Sequence, residues 1–136
     1  MCGGIKFIHQ AEELTLYFPN PRSSLPVLKK NGEISLLPWG RREKQPGRLP
    51  LGGWARLESI KKGTWDRYQV KPVKLAVKHF MEKDSQGVSR WFNLAEGEYI
   101  QGLIACYDDE LRAYVVTIES ETESSIHPRR PRIIKG

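Results

Sequence analysis

Short apolar runs separated by turn residues are the feature that most constrains the fold of this chain. The runs are rich in β-branched and aromatic residues, and several of them alternate apolar and polar side chains at every second position. They read GIKFI, LTLYF, LPVLK, EISLL, VKLAVKHF, VSRWFNL, YIQGLIACY and LRAYVVTI. Because a period of two is typical of β-strands, the pattern predicts a protein built mainly of strands.

The segments between these runs contain turn signals. Asn31-Gly32 separates two of the runs and is the strongest short hairpin signal in the chain. The stretches MEKDSQGVSRW and FNLAEGEYI are also typical of tight reversals. The segment WARLESIKK, residues 54–62, favours a helix that ends at Gly63. We therefore expect a compact α+β fold, mainly β, barrel-like and mostly antiparallel, with few short helices.

Length and hydropathy limit the organisation of the chain. Its 136 residues are the size of one ordinary domain, and no repeat or linker divides them, so we expect a single domain over residues 1–136. No apolar run approaches the roughly 20 residues that cross a bilayer. The opening MCGGIKFIHQ lacks the long apolar centre of a signal peptide. We expect a cytoplasmic protein without membrane contact.

The cysteines and histidines give no sign of a disulfide or a metal. A reducing compartment disfavours pairing of Cys2 with Cys106, and Cys106 is expected to be a buried strand residue within YIQGLIACY. The spacing of cysteine and histidine fits no metal site, and no phosphate-binding glycine motif is present. Neither a metal nor a cofactor is therefore predicted.

Cys2 follows the start methionine in MCGG, which gives it unusual potential chemistry. Methionine aminopeptidase removes Met1 when the next side chain is small, so Cys2 is expected to become the N-terminus. Its α-amine, with a reference pKa of about 7.7 to 8.0, and its thiol, near about 8.5, would then form a 1,2-aminothiol. Such a group condenses with aldehydes to a thiazolidine ring, and its thiolate can attack acyl carbons. The alternative is an accidental cysteine at a weakly constrained position.

The net charge of +6 favours an anionic partner. Basic residues cluster in GRREKQPGR, at positions 40–48, and in the C-terminal HPRRPRIIKG, which contains no acid. Tryptophans are interspersed along the chain, at positions that include 39, 54 and 65. Cations for phosphates together with flat rings for bases indicate binding of single-stranded nucleic acid. Solvated surface lysine and arginine are the alternative interpretation.

Two further residues are candidates for acid–base chemistry. Glu82, in FMEK, lies where an apolar strand meets the turn DSQG, and partial burial there would raise its pKa and let it exchange a proton. His127, in SSIHPRRP, lies at the start of the basic C-terminal segment, where prolines limit backbone freedom. A solvated carboxylate and a surface histidine are the alternatives.

Four stretches in one order carry a family resemblance: MCGG at the start, WARLE at 54–58, FMEK at 80–83 and IHPRRP at 126–131. Together they resemble the SOS-response-associated peptidase (SRAP) family, the abasic-site processing proteins. That family has a Met-Cys-Gly-Arg start, an Asn-Ala-Arg-x-Glu segment, an aromatic-x-Glu segment and a closing His-x-Arg-Met-Pro. The resemblance spans nearly the whole chain, and its specificity lies in the combination.

The resemblance implies a β-rich fold around a positively charged groove for single-stranded DNA. Family members lose Met1 by self-processing, as a cysteine peptidase would, and then trap the ring-opened aldehyde of an abasic site in a thiazolidine DNA–protein crosslink. Carried over by position, Cys2 would be the nucleophile, Glu82 the assisting carboxylate and His127 the acid–base partner. Arg56 and Arg129 would bind phosphates.

The same resemblance implies a role in DNA repair during the SOS response, with single-stranded DNA containing abasic sites as the partner. We expect a monomer without cofactor or metal, which becomes nucleoid-associated when it binds DNA. The chain departs from the family pattern at three positions: Gly4 replaces the start arginine, Trp54 the motif asparagine and Arg130 the methionine. Arg130 is expected to supply a phosphate contact, and Trp54 to stack on a base.

Two other function classes remain open from the sequence. Glutamine amidotransferases with an N-terminal cysteine also begin Met-Cys-Gly, and NGEI at 31–34 faintly resembles one of their motifs. Alkylation by a labelled glutamine analogue would identify that class. The other is a non-catalytic module that binds single strands by charge and stacking, with Cys2 inert. Only covalent capture of an abasic site distinguishes this module from the SRAP interpretation.

Overall fold

The computed structural model describes residues 2–120 and 129–136, and these residues form mainly β-strands. The strands are β1 (Gly4–His9), β2 (Glu12–Tyr17), β3 (Ser24–Leu28), β4 (Ile34–Pro38), β5 (Trp54–Arg56), β6 (Lys71–Leu75), β7 (His79–Lys83), β8 (Ser89–Asn93), β9 (Glu98–Tyr107), β10 (Glu110–Glu119), β11 (Arg129–Pro131) and β12 (Ile133–Lys135). One short helix, α1 (Leu57–Lys61), and a 3₁₀ turn, Asp66–Tyr68, accompany them. The prediction of a mainly β fold with little helix is confirmed. No helix in the described part of the chain is long and apolar enough to cross a membrane.

The strands form two sheets. A four-stranded antiparallel sheet has the order β2-β1-β7-β8, and a larger sheet has the order β11-β10-β9-β6-β3-β4, with β12 added on β9 and β5 on β10. An isolated bridge between Trp39, just after β4, and Ala113 of β10 brings the end of the larger sheet back toward its centre. The larger sheet is therefore curled, but it is not a closed barrel.

The turns follow the predicted chemistry. Gly32 adopts φ of 86° between β3 and β4, and its N–H donates to Lys29 O at 3.0 Å, which closes the expected hairpin. Gly87 adopts φ of 79° in the β7–β8 hairpin. The reversal at 93–98 is also present, but it connects β8 to β9 in the other sheet. This turn is therefore a crossing between sheets and not a hairpin.

The helix predicted over 54–62 is shorter than expected. Residues Trp54–Arg56 form β5, and α1 covers only Leu57–Lys61. The reason is tertiary, because β5 pairs in parallel with β10, with Trp54 opposite Val115. Pairing with a central strand outweighs a weak local preference for helix.

Two apolar cores lie on opposite faces of β9 and β10. In β10, Ala113 and Val115 belong to the first core, while Tyr114 and Val116 belong to the second. Successive residues of β10 therefore point alternately into the two cores, which is the predicted period of two with both faces of the strand buried. Cys106 was expected to be buried but is only partly so, because it lies near the β9–β10 turn, where the hairpin extends beyond the cores.

Candidate functional site

The segment before β1 is held between two strands of the four-stranded sheet. The Gly3 N–H donates to Met81 O at 2.9 Å, and Gly3 O accepts from the Phe18 N–H at 3.1 Å. The Cys2 side chain is fully buried in the first core. Its thiol contacts Gly4 O at 3.5 Å. Backbone hydrogen bonds therefore fix Cys2 at the junction of β1, β2 and β7.

Glu82 lies beside this junction. The register of β1 and β7 places Gly4 opposite Met81, so Glu82 continues the ladder toward the residues before Gly4. Its side chain is only 4% exposed. Burial raises the pKa of the Glu82 carboxyl above its usual range, because a charged carboxylate is poorly solvated there. Glu82 is therefore buried rather than solvated, and its expected part in acid–base chemistry stays a prediction.

The Cys2 thiol has a perturbed pKa as well. Burial, followed by the negative charge of nearby Glu82, raises the pKa of Cys2 to about 12. The thiol is therefore protonated at neutral pH, whereas the reference value suggested partial ionisation. Any reaction at this sulfur needs a group that accepts its proton, and Glu82 is close enough for its charge to affect the thiol.

Trp54 connects the second motif to Cys2. Its indole Nε1–H donates to Cys2 O at 2.8 Å. Its ring is tilted against Phe18, with 4.8 Å between ring centroids, and lies edge-to-face with Trp39 at 6.5 Å. In the structure the Trp54 indole holds the Cys2 backbone, and its expected stacking on a base stays a prediction. An N–H donor is one function that tryptophan shares with the asparagine of the family motif.

The three aromatic rings around Cys2 are held together by a glycine and an arginine. A Cβ on Gly53 would lie 2.7 Å from both the Phe18 ring and Trp39 Nε1, so only glycine fits there. Arg42 lies 4.1 Å above the Phe18 ring and donates to Phe18 O and Trp39 O at 2.7 Å. Arg42, one of the cations expected to attract DNA, therefore supports the walls of the Cys2 site.

A cleft of about 570 Å³ opens next to Cys2. Its lining residues include Gly3, Tyr17, Trp54, Met81 and Lys83, whereas the buried side chains of Cys2 and Glu82 do not line it. Tyr17 is 45% exposed and lies edge-to-face with Trp91 at 6.2 Å. Lys6 extends over the same Trp91 ring, with its Nζ 4.3 Å from the centroid. Aromatic rings and cations therefore continue from the cleft across the outer face of the four-stranded sheet, a combination that the sequence did not reveal.

Arg129 is placed differently from the predicted phosphate contact. It is 8% exposed, and its two terminal nitrogens bind the Glu58 carboxylate at 2.7 and 3.1 Å. It also donates to Thr117 O at 2.8 Å. The Arg129 hydrogen bond lowers the pKa of Glu58 to about 2. The second and fourth motifs therefore meet, but in an ion pair that joins α1, β10 and β11.

The remaining predicted residues are less closely tied to Cys2. Arg56 is exposed at the end of β5, two residues after Trp54. Arg130 is partly buried in β11, opposite Ile118 of β10. Met1 and His127 lie outside the described residues. The structure therefore brings together Cys2, Trp54 and Glu82.

The chemistry of the site must be argued from its own residues. Comparison with models of protein families, with curated proteins and with solved structures found no match to this chain. Among the residues that the structure describes, no group of three or more histidine, cysteine, aspartate and glutamate side chains could hold a metal ion. What remains is a buried thiol, a buried carboxyl whose charge affects it, and a cleft lined by Gly3, the residue that follows Cys2.

Proposed function

We propose that this protein binds single-stranded DNA and captures the aldehyde of an abasic site covalently through Cys2. The observation that carries the proposal is that two segments distant in the sequence, those of Trp54 and Glu82, meet the segment of Cys2; these are three of the four stretches of the SRAP resemblance. The Trp54 indole holds the Cys2 backbone carbonyl at 2.8 Å, and the Glu82 carboxyl acts on the pKa of the Cys2 thiol.

The reaction needs Cys2 as the N-terminal residue after removal of Met1. Its α-amine attacks the aldehyde carbon of the ring-opened sugar, and loss of one water gives an imine. The sulfur then adds to the imine carbon, and the thiol proton moves to the nitrogen, closing the thiazolidine. Glu82 accepts the proton from sulfur and returns it to nitrogen, a role that its raised pKa favours.

The surroundings of Cys2 suit a single strand. A sugar that enters the cleft would reach Cys2 past Gly3 and Met81. The flexible side chain of Met81 can move aside. Tyr17 offers an exposed ring for a base, and Lys83 a cation for a phosphate. His127, which the resemblance assigns to opening of the sugar, remains a prediction.

The proposal is tested with an oligonucleotide that carries one abasic site. Protein whose N-terminal mass shows Cys2 as the first residue is mixed with the oligonucleotide and separated under denaturing conditions. We expect a shifted band with the native protein and with Cys106→Ala, which removes the other thiol. We expect none with Cys2→Ala, although its reversible binding persists. A crosslink formed by Cys2→Ala would show that the aminothiol mechanism is wrong.

Two further variants separate positioning from binding. Trp54→Phe keeps an aromatic ring but removes the N–H, so crosslinking should slow while reversible DNA binding is retained. Arg56→Ala should weaken both, because it removes an exposed cation near the site. Equal crosslinking rates in native protein and Trp54→Phe would exclude a role for the Trp54–Cys2 hydrogen bond.

One observation favours a second candidate, a non-catalytic module for single-stranded nucleic acid. The Cys2 side chain is fully buried, and its pKa is about 12, as in structural cysteines. In that case correctly processed protein would bind single strands in a salt-sensitive way but form no denaturation-resistant band with the abasic oligonucleotide.

A further inference from the structure

A second cavity lies at the opposite end of the β3–β4 hairpin from Cys2. The end near Cys2 is marked by the hydrogen bond from the Trp39 N–H to Ser23 O at 3.0 Å. The far end, where Leu28 pairs with Ile34, borders a groove of about 870 Å³. Five strand residues span about 13 Å, and none of the described residues lines both cavities. The groove is therefore separate from the proposed DNA site.

The groove exists because β3 and β6 pair over only two residues each. β3 pairs with β6 only through Val27–Leu75 and Leu28–Lys74, and the chain then turns at Lys29. The first part of β6 pairs with β9 alone. The curled sheet is thus split here, and its interior is open from the side.

The floor of the groove is aliphatic. It consists of Val27, Leu37, Val73, Ile104 and Leu111. Val27 is part of the first core, and Leu37, Val73 and Ile104 pack against that core. Leu111 is 44% exposed. An alkyl chain in the groove would therefore bury apolar surface that is now partly hydrated.

The rim of the groove is cationic. Lys29, Lys30, Lys71, Lys74 and Arg132 line it, and no acidic residue is among the described residues that do so. Lys29, Lys30 and Lys71 are exposed. Arg132 is held by a hydrogen bond to the Gln101 side chain. The described lining is therefore cationic and complements an anion, although Lys74 also lies over the Tyr99 ring, 5.5 Å from its centroid.

Two further features narrow the class of ligand. Among the residues of 2–120 and 129–136 that line the groove, none has an aromatic side chain on which a base could stack. Pro72, in the middle of the bordering part of β6, has no N–H to offer an added β-strand. Both a single-stranded nucleic acid and an extended peptide are disfavoured by these residues.

We propose that this groove binds a single-chain anionic amphiphile, with its alkyl chain on the aliphatic floor and its anionic head at the lysine rim. A fatty-acid carboxylate is the simplest such molecule. The site does not involve Cys2, so Cys2→Ala should bind the amphiphile as native protein does. Failure of this proposal is therefore distinguishable from failure of the proposed DNA capture.

The test is calorimetric titration with dodecanoate below its micelle-forming concentration. We expect saturable binding of one molecule per chain, with at least about tenfold weaker binding of dodecyltrimethylammonium, which has the same chain length and the opposite charge. Acetate, the head group alone, should show no saturable binding. Equal affinity for the two dodecyl compounds, or no binding of dodecanoate, would overturn the proposal.

Charge-reversal variants locate the site. Lys29→Glu/Lys71→Glu should weaken dodecanoate binding at least about tenfold, whereas Lys61→Glu/Lys62→Glu, which changes net charge equally at the end of α1, should not. Circular dichroism and thermal unfolding check that both variants fold. If the first variant does not fold, the neutral pair Lys29→Gln/Lys71→Gln replaces it, with weaker binding again expected. An equal loss of dodecanoate affinity in the two charge-reversal variants would contradict the assignment of the binding site to the groove.

Competition addresses the other classes of ligand. Neither oligothymidylate nor a glutamate-rich aliphatic peptide should displace dodecanoate from native protein. Displacement by the oligonucleotide would assign the groove to nucleic acid, and displacement by the peptide would assign it to an acidic protein segment. Either result would overturn the proposal.

Discussion

Two glutamates of the resembling motifs lie in opposite environments. Glu82 is 4% exposed, and burial raises its pKa, whereas the Glu58 side chain is 50% exposed, and Arg129 lowers its pKa to about 2. At neutral pH, Glu58 is held as an anion by a fixed cation. Burial instead makes the charged form of Glu82 less favourable than it is in water, so the pKa of this carboxyl lies above its usual range.

The difference separates two functions that a motif alone cannot distinguish. A carboxylate with a strongly lowered pKa is a poor proton acceptor, so Glu58 suits a structural ion pair. A carboxyl with a raised pKa is a stronger proton acceptor than one with a lowered pKa, so Glu82 suits proton exchange better than Glu58 does. The proposed reaction is therefore assigned to the Cys2–Glu82 region, whereas the Glu58–Arg129 ion pair joins α1 to β10 and β11.

The largest expected effect is on the rate of crosslinking. Glu82→Gln keeps the size of the side chain but removes the group that exchanges protons, so we expect the crosslinking rate to fall by about a hundredfold. Reversible binding to the abasic oligonucleotide should change little. Gel quantification of the crosslink over time measures the rate.

Glu58→Gln is the matched control for that variant, because it makes the same substitution in the second region. Its crosslinking rate should stay close to that of native protein. A loss in Glu58→Gln as large as in Glu82→Gln would show that the two glutamates do not differ in function as proposed.

A smaller effect is expected on stability in the second region. Arg129→Ala removes the hydrogen bonds to Thr117 from a buried position, so the free energy of unfolding should fall by about 2 kcal/mol. Urea unfolding measures this. If Arg129→Ala instead left stability unchanged and weakened DNA binding, Arg129 would be the phosphate contact that the resemblance implies.

The smallest effect is the pH dependence of stability, which should have opposite signs for the two glutamates. The folded-state pKa of Glu82 is raised, so its contribution is fully present below its unfolded value of about 4.3 and is lost as pH rises through the folded pKa. The folded-state pKa of Glu58 is about 2, so its contribution is present above about 4.3 and is lost as pH falls toward 2.

Urea unfolding at a series of pH values distinguishes these contributions. Glu82→Gln should remove the part of the stability that grows as the solution is acidified from neutral pH to about 4.3. Glu58→Gln should reduce the loss of stability that the native protein shows as pH falls below about 4.3. A pH profile of Glu82→Gln identical to that of native protein would contradict the raised pKa.

Local chemistry made much of the fold predictable. The Asn31-Gly32 hairpin and the turn at Gly87 follow from residues that tolerate positive φ. The alternating run of β10 becomes a strand that serves two cores. The length of α1 was not predictable, because the parallel pairing of β5 with β10 joins segments far apart in the sequence.

The candidate site was predictable only in part. Cys2 and Glu82 were identified from their chemical character and from the resemblance. The contact of Trp54 with the Cys2 carbonyl was not, since an indole near a basic cluster is equally consistent with base stacking. Arg42 and Arg129 were assigned to DNA because sequence shows charge but not whether a guanidinium is already engaged within the fold.

The sequence by itself determined the strand-rich class, the turn positions and the side chains that are candidates for the proposed reaction. These depend on the periodicity and chemistry of neighbouring residues. The tertiary structure alone decided that Cys2 is buried near Glu82, with its carbonyl bonded to the Trp54 indole. It also decided that Arg129 is paired with Glu58. The physical reason is that solvation and charge pairing, which set the pKa of each group, depend on residues that only folding brings into contact.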